Sequence, residues 1–304
     1  NVNFPDFYKK RRKAVELQTM HGTPLKTLGL DVPGDVDTEP KKSKFLARCG
    51  RWDCLTVPST YVENISKRAF DYDRNMMRYG YPRNDKLFSG NHTDNIQEIK
   101  RKLNIPLDKK VIFYAPTWRI KNWFKVEMDL EKMKQELSDE YVIMVKFHHF
   151  VAKSVTLPSY SGFLYNLSNY DDIRDLYLIS DILITDYSSV MFDYAILNRP
   201  QILFTYDLEK YRDNLRGMYL DIIEQAPGPI TKNTEELIDA IKNAQTISNS
   251  TRLDSFRKKY CEYDRGHASQ KVVEEFLGLT RKNNIIPFKQ KEIQAVEESK
   301  RVNL

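Results

Sequence analysis

The run Ile182-Leu-Ile-Thr-Asp-Tyr-Ser-Ser-Val-Met-Phe-Asp-Tyr-Ala-Ile-Leu197, followed by Pro200-Gln-Ile-Leu-Phe204, decides the architecture. Residues 182–185 form a short apolar block of the kind buried inside a sheet, 190–197 carry apolar residues at helical spacing, and 200–204 are a second apolar block. The same alternation extends upstream. Helical patterns at 95–103, 130–137 and 171–178 alternate with strand patterns at 110–116 and 141–147. Strands alternating with helices predict an α/β domain built on a parallel sheet covered on both faces. In such sheets ligands bind beyond the carboxyl ends of the strands. Arg119, His148 and Ser188 fall at those ends.

Before residue 95 the pattern starts afresh. Cys54-Leu-Thr-Val57 is a short strand ending at Pro58, and 61–70 is a helix entered from a Ser59/Thr60 cap. Residues 76–85 read as a strand broken by Gly80 and Pro82, and the polar stretch 89–95 is a natural junction. The expected division is therefore 1–88 for the remainder of a first half, 89–280 for a second half and 281–304 for a polar tail. Helical patterns at 234–244, 253–260 and 268–277 complete the second half. Asn1 is not Met, and the His21 loop has little structure ahead of it, so the first half is expected to be incomplete.

Composition limits the function classes. The chain has 304 residues, 41% of them hydrophobic and 12% aromatic, which supports a packed core rather than disorder. No apolar stretch approaches the roughly 18 to 20 residues that cross a bilayer, and no signal-peptide core is evident. Three cysteines, of which only Cys49 and Cys54 are close in sequence, give neither a disulfide framework nor a zinc set, and a reducing compartment fits. The net charge of +6 is uneven, with Lys9-Lys-Arg-Arg-Lys13 and Lys41-Lys-Ser-Lys44 flanking His21. That bias suits an anionic partner or simply a solvated face. Nucleic acid is not expected, because no recognition helix, zinc finger or RNA-binding sheet signature accompanies the charge. A P-loop, a dinucleotide glycine fingerprint and a serine nucleophile elbow are also missing, which removes the main supports for kinase, dehydrogenase and esterase readings.

Three segments carry chemistry. Met20-His-Gly-Thr-Pro-Leu-Lys26 sets a histidine on a Gly/Pro loop. Tyr141-Val-Ile-Met-Val-Lys-Phe-His148 delivers a histidine and, two residues earlier, Lys146 at a strand end. Residues alternate faces along a strand, so Lys146 and His148 share one, while His149 faces away and cannot easily share a metal ion with His148. Ser188 and Ser189 enter a helix, where hydroxyls and free amides can hold a diphosphate, although ordinary helix capping explains them equally well. Asp71-Tyr-Asp73 imitates a metal-binding acidic triplet, but it lies outside the second half and reads as a solvated loop. Together the segments are suited to moving a phosphoryl group, with no metal and no cofactor expected.

At this point His21-Gly-Thr-Pro-Leu-Lys26, Gly80-Tyr-Pro-Arg-Asn-Asp85, Tyr114-Ala-Pro-Thr-Trp-Arg119, Ile184-Thr-Asp-Tyr-Ser-Ser-Val-Met-Phe-Asp193, Arg199-Pro200 and Arg216-Gly-Met-Tyr219 resemble the CDP-glycerol glycerophosphotransferases of wall teichoic acid synthesis. The likeness runs from about His21 to Phe276. It implies a GT-B fold, two Rossmann-like halves facing across a cleft, with the acceptor half first and the nucleotide half second. The family usually has tryptophan where this chain has Met20, and a residue other than histidine at 149.

The resemblance implies a transfer of glycerol phosphate from CDP-glycerol to the terminal hydroxyl of a lipid-linked teichoic acid precursor, with release of CMP. His21 is then the general base and His148 the second reacting group, a donor to phosphate. Gly22, Thr23, Lys26, Arg83, Asp85, Thr117, Arg119, Lys146, Asp186, Ser188, Ser189 and Arg216 are the implied substrate-binding residues, and His267 and Ser269 of Gly266-His-Ala-Ser269 are expected to close on phosphate or ribose. A lipid-linked acceptor places the work at the cytoplasmic face of a Gram-positive cell membrane. Peripheral attachment is then expected through an anionic membrane surface and Lys9 to Lys13, with Phe4, Phe7 and Tyr8 ahead of them. A CDP-ribitol transferase, a capsule polymerase and a non-catalytic module that docks anionic polymer are the competing readings.

Overall fold

The computed structural model describes residues 4–282, apart from 6, 35, 37, 119–125, 149–150, 153–154, 210–216, 245 and 247–250. Two parallel sheets organise them. The smaller has three strands, β1 (Leu17–Gln18), β2 (Cys54–Thr56) and β3 (Asn75–Met77), in the order β1-β2-β3. The larger has six, in the order β6-β5-β4-β7-β8-β9: β4 (Lys110–Tyr114), β5 (Tyr141–Val145), β6 (Leu164–Asn166), β7 (Ile182–Thr185), β8 (Gln201–Phe204) and β9 (Ile230–Thr231). Every pairing in both sheets is parallel.

The larger sheet follows from strand alternation. Ile112 and Tyr114 of β4, with Ile143 and Val145 of β5, point to a cluster closed by Met133 and Leu137 of α5 (Leu130–Leu137) and Leu237 and Ile241 of helix Thr234–Lys242. Val111 and Phe113, with Val142 and Met144, point the other way, to Leu176 of α6 (Ile173–Ile179) and Tyr194 of α7 (Val190–Ala195). Both faces are dry, which is why these strands read as unbroken apolar runs. Order reverses between β4 and β7, since β5 and β6 extend one side and β8 and β9 the other. A crevice outside the carboxyl ends of strands is deepest at such a reversal.

The smaller sheet packs one face on Trp52, Val62 of α2 (Thr60–Ala69) and Tyr72. Its other face, at Cys54 and Met77, is covered by Val272 and Phe276 of helix Ala268–Lys282. The chain thus returns to its first sheet after finishing the second. That helix is capped from the first sheet's side, because Asp85 accepts the Ala268 and Ser269 amides at 2.9 and 2.7 Å.

Several expectations shift by a few residues. Residues 76–85 are not one broken strand: β3 ends at Met77, a 3-10 turn covers Pro82–Asn84 and α3 (Asp85–Ser89) follows. Pro82 has no amide for a ladder and Gly80 sits at φ +86°, so the strand stops there. The basic stretch Lys9 to Lys13 is not a uniformly solvated face, since Lys10 is drawn onto Asp53 at 2.7 Å and the Arg51 carbonyl. Helix α1 (Glu39–Cys49) and the short strands β1, β6 and β9 were not anticipated from the pattern.

Candidate active site

The His21 loop lies against the order reversal of the larger sheet, enclosing a cavity of about 460 Å3. From the first half come Met20, His21, Gly22, Thr23 and Lys26; from the second come Thr117 and Trp118 after β4, His148 after β5, and Ser188 and Ser189 after β7. The approach is close. A Cβ on Gly22 would stand 3.1 Å from Ser189 Oγ, so the residue at 22 is small because backbone passes directly over the serine turn.

Local geometry presents the candidate histidines. Met20 adopts φ +53°, a left-handed conformation uncommon for a side chain of this type, and its amide donates to Gln18 Oε1 at 3.1 Å. The kink turns His21 out of the strand direction and leaves it exposed in the cleft. Such outliers persist where the surroundings enforce them. His148 is half-buried, its ring stacked on Trp118 with centroids 5.7 Å apart and planes 27° apart. Asp186, 2% exposed, lies across the switch point: its Oδ1 accepts the Thr117 amide from the β4 end at 2.8 Å and the Tyr187 amide at 2.6 Å. Asp186 thereby fixes the two loops that frame the crevice.

Ser188 and Ser189 are half-buried and face the cavity. Helix α7 behind them is only six residues, so its dipole adds little and their hydroxyls are the useful donors. Lys146 points elsewhere. Its ammonium donates to the Ser168 carbonyl at 3.1 Å and to the Tyr170 carbonyl, and burial pulls its pKa below the usual lysine range. Lys146 lies one residue past the end of β5, and its long chain follows the Ser168 and Tyr170 carbonyls rather than the cavity.

Four further expected residues form a second cluster away from the cavity. Arg83 pairs with Asp193 of α7 at 2.8 Å and lies over the Tyr81 ring at 4.1 Å. Asp85 caps helix Ala268–Lys282, and Ser269 Oγ donates to the Pro82 carbonyl at 3.2 Å. His267 is exposed, with Nδ1 3.0 Å from the Arg265 carbonyl. Beside them Asp264 Oδ1 accepts the Tyr81 amide at 3.1 Å and Asn84 Nδ2 at 3.4 Å, while Asn84 also reaches Asp193 at 3.2 Å. Burial, aided by the Asp193 carboxylate, pushes the Asp264 carboxyl up to about 7. A cavity of about 440 Å3 opens next to this network, lined by Phe88, Ile196, Cys261, Asp264 and Arg265 among others.

Arg119, Arg216 and His149 lie outside the described residues. Sequence reasoning did not single out Trp118, though it sits within the strand-end motif Thr117-Trp-Arg119, nor Tyr187, whose position between Asp186 and Ser188 put it there. Among the described residues no group of three or more His, Cys, Asp or Glu is placed to hold a metal ion. Asp73 of the acidic triplet is 81% exposed and 3.7 Å from Lys67.

Comparison with known proteins follows the same outline. The chain is 42% identical over 290 residues to the teichoic acid poly(glycerol phosphate) polymerase of Bacillus spizizenii, covering 91% of this chain and 73% of that protein. It is 44% identical over 287 residues to the teichoic acid glycerol-phosphate transferase of Staphylococcus aureus, covering 90% and 73%. Of the larger Bacillus subtilis poly(glycerol phosphate) polymerase it spans 38%. A solved structure of the wall teichoic acid polymerase TagF superimposes with a TM-score of 0.85 at 39% identity, over 93% of this chain and 72% of that one, and the GT-B architecture of two Rossmann-like halves across a cleft is shared. The family model CDP-Glycerol:Poly(glycerophosphate) glycerophosphotransferase matches residues 1–278, and the chain belongs to that family.

Proposed function

We propose that the cleft binds CDP-glycerol and passes its glycerol phosphate to the terminal hydroxyl of a lipid-linked polyol-phosphate acceptor, releasing CMP. The observation that carries this reading is the meeting of His21, from the first half, with His148, Ser188 and Ser189, from the second, around one cavity. Family membership supplies the donor and the class of reaction.

In this reaction the acceptor oxygen attacks the glycerol-bearing phosphorus, the bond from that phosphorus to the CMP oxygen breaks, and CMP leaves with the electron pair. His21 takes the proton of the attacking hydroxyl, an effect worth roughly 10² to 10⁴ in rate. His148 and the hydroxyls of Ser188 and Ser189 bind the diphosphate oxygens, where charge is redistributed as the bond breaks. Trp118 holds the His148 ring in plane. Asp186, buried and outside the cavity lining, positions the loops through the Thr117 and Tyr187 amides.

The first half, 1–88, then receives the acceptor and the second, 89–280, the nucleotide, with helix Ala268–Lys282 fastening one to the other. A lipid-linked acceptor calls for attachment to the cytoplasmic membrane face of a Gram-positive cell, which we assign to surface contact; among the described residues no helix is long and apolar enough to cross a membrane. Exposed Phe7 and Lys9 offer a contact with anionic lipid, while Lys10 is committed to Asp53.

Incubation with CDP-glycerol and a lipid-linked glycerol-phosphate acceptor tests the reading by CMP release. CMP formation that depends on acceptor is expected. Turnover of CDP-ribitol in place of CDP-glycerol would reassign the donor, and no CMP from either would reduce the chain to a binding module.

A further inference from the structure

The loop that presents His21 is held in place by a short segment from the other half of the chain. Thr27 N–H donates to the Gly217 carbonyl at 2.8 Å and Tyr219 N–H to the Leu25 carbonyl at 3.0 Å, which makes Lys26 and Met218 an antiparallel bridge. This pairing belongs to neither sheet. It fixes only the far end of the loop, since the backbone at 21–23 takes no part in it.

Tyr219 adds a second kind of hold. Its hydroxyl accepts the Leu28 amide at 3.1 Å and donates to Asp31 Oδ2 at 2.6 Å. Asp31 in turn receives Arg68 Nε on both oxygens, at 3.0 and 2.9 Å, and the Arg68 guanidinium lies 5.4 Å over the Tyr219 ring. Arg68 belongs to α2, whose buried side lies in the core of the first sheet. One phenol therefore joins the loop following His21 to a rigid helix and to the strap from the second half. Burial, then the hydrogen bond to Asp31, pushes the Tyr219 hydroxyl up to about 12, so it remains a donor at any working pH.

We propose that Tyr219 is a positioning residue of the transfer reaction, setting the height of the His21–Lys26 loop over Ser188 and Ser189 through its bonds to Leu28 and Asp31. The proposal rests on the reading of His21 as the general base. Gly22 has little clearance over Ser189, and Leu25, 3% exposed, is packed with Tyr187 and Met191. A small shift at residue 28 is therefore carried to His21, where misplacement by about 1 Å can cost on the order of a hundredfold in rate. The donor site, built on Thr117, His148, Ser188 and Ser189, lies on the larger sheet and is left where it is.

Tyr219→Phe keeps the ring and its stacking on Arg68 and removes only the hydroxyl. The expected result is a fall of about tenfold or more in kcat for acceptor-dependent CMP release, with the KM for CDP-glycerol and the affinity for CMP within about twofold of wild type. Asp31→Asn should show the same split, and the double variant should lose little more than either single one, because both remove one linkage. Unchanged kcat, or a loss confined to the donor KM, overturns the assignment. Amide hydrogen exchange gives a readout that does not depend on turnover. Gly22 to Leu28 should exchange at least about tenfold faster in Tyr219→Phe while β2 and β3 keep their protection, and equal protection in that segment refutes the proposal even if the wild type releases no CMP. Absence of CMP from the wild type, by contrast, counts against the proposed reaction.

Discussion

The two sheets border the same cavity with unequal rigidity. Strands β4, β5 and β7 contribute fourteen residues, of which only Lys110 is exposed, and the ends of β4 and β7 are cross-tied by Asp186. The smaller sheet offers two- and three-residue strands, and His21 stands exposed on a loop kinked at Met20. A group that only has to hold charge benefits from a fixed platform, because preorganised donors lose nothing on reorganising. A general base, as proposed for His21, has to admit the acceptor and benefits from an open approach. On the proposed reading the difference separates binding from turnover, and substitutions on the two sides should separate them too.

The largest effect is expected at the open side. His21→Ala should lower turnover by 10² or more, about 3 kcal/mol or above in barrier, while calorimetry finds CDP-glycerol affinity nearly unchanged. An equal loss of affinity would mean the loop also builds the donor site, and the division of labour would fail.

Next comes the seam between the halves. Asp264 has a folded pKa of about 7 against an unfolded value near 3.8. Between those values the folded state keeps a proton that the unfolded chain has given up, so stability falls as pH rises and the fall ends above about pH 7. Urea unfolding at pH 5 and pH 8 should show wild type losing on the order of 2 to 3 kcal/mol relative to Asp264→Asn over that interval. Parallel curves for the two proteins would remove Asp264 as the titrating group.

On the rigid side Ser188→Ala should weaken CDP-glycerol and CMP binding about tenfold, roughly 1.4 kcal/mol, in line with a lost hydrogen bond to a charged group. Turnover at saturating donor should change less. A fall in turnover with unaltered affinity would move Ser188 from binding to catalysis. The smallest effect is expected at Lys146→Met. Two carbonyls lose their donor, so Tm drops by a few degrees for roughly 1 kcal/mol, with CMP affinity within about twofold. A tenfold loss of CMP affinity would return Lys146 to the diphosphate.

The larger sheet was legible because burial on both faces writes itself into sequence as unbroken apolar runs, and Ile182–Thr185 and Tyr141–Val145 stand within one or two residues of where they were expected. Strands β1 and β9 have two residues each, too few for any period to register. Helix α1 hides its apolar face, Phe45, Leu46 and Cys49, among four basic residues and an opening Glu-Pro. Residue type and strand-end position singled out His21, His148, Ser188 and Ser189, which line one cavity. Arg83 and Asp85 lie away from that cavity for a reason sequence hides: a charged residue beside a motif looks the same whether it meets a substrate or a carboxylate 110 positions away, as Arg83 does. Only contact distinguishes them.

The return of helix Ala268–Lys282 to the first sheet has a consequence for synthesis. Val272 closes the face over Cys54 and Met77, so that face stays uncovered until the ribosome has made about two hundred further residues. At roughly 5 to 20 residues per second the wait lasts on the order of 10 to 40 seconds. During that time the larger sheet can complete itself, and the nascent first sheet is the part a chaperone would have to shield.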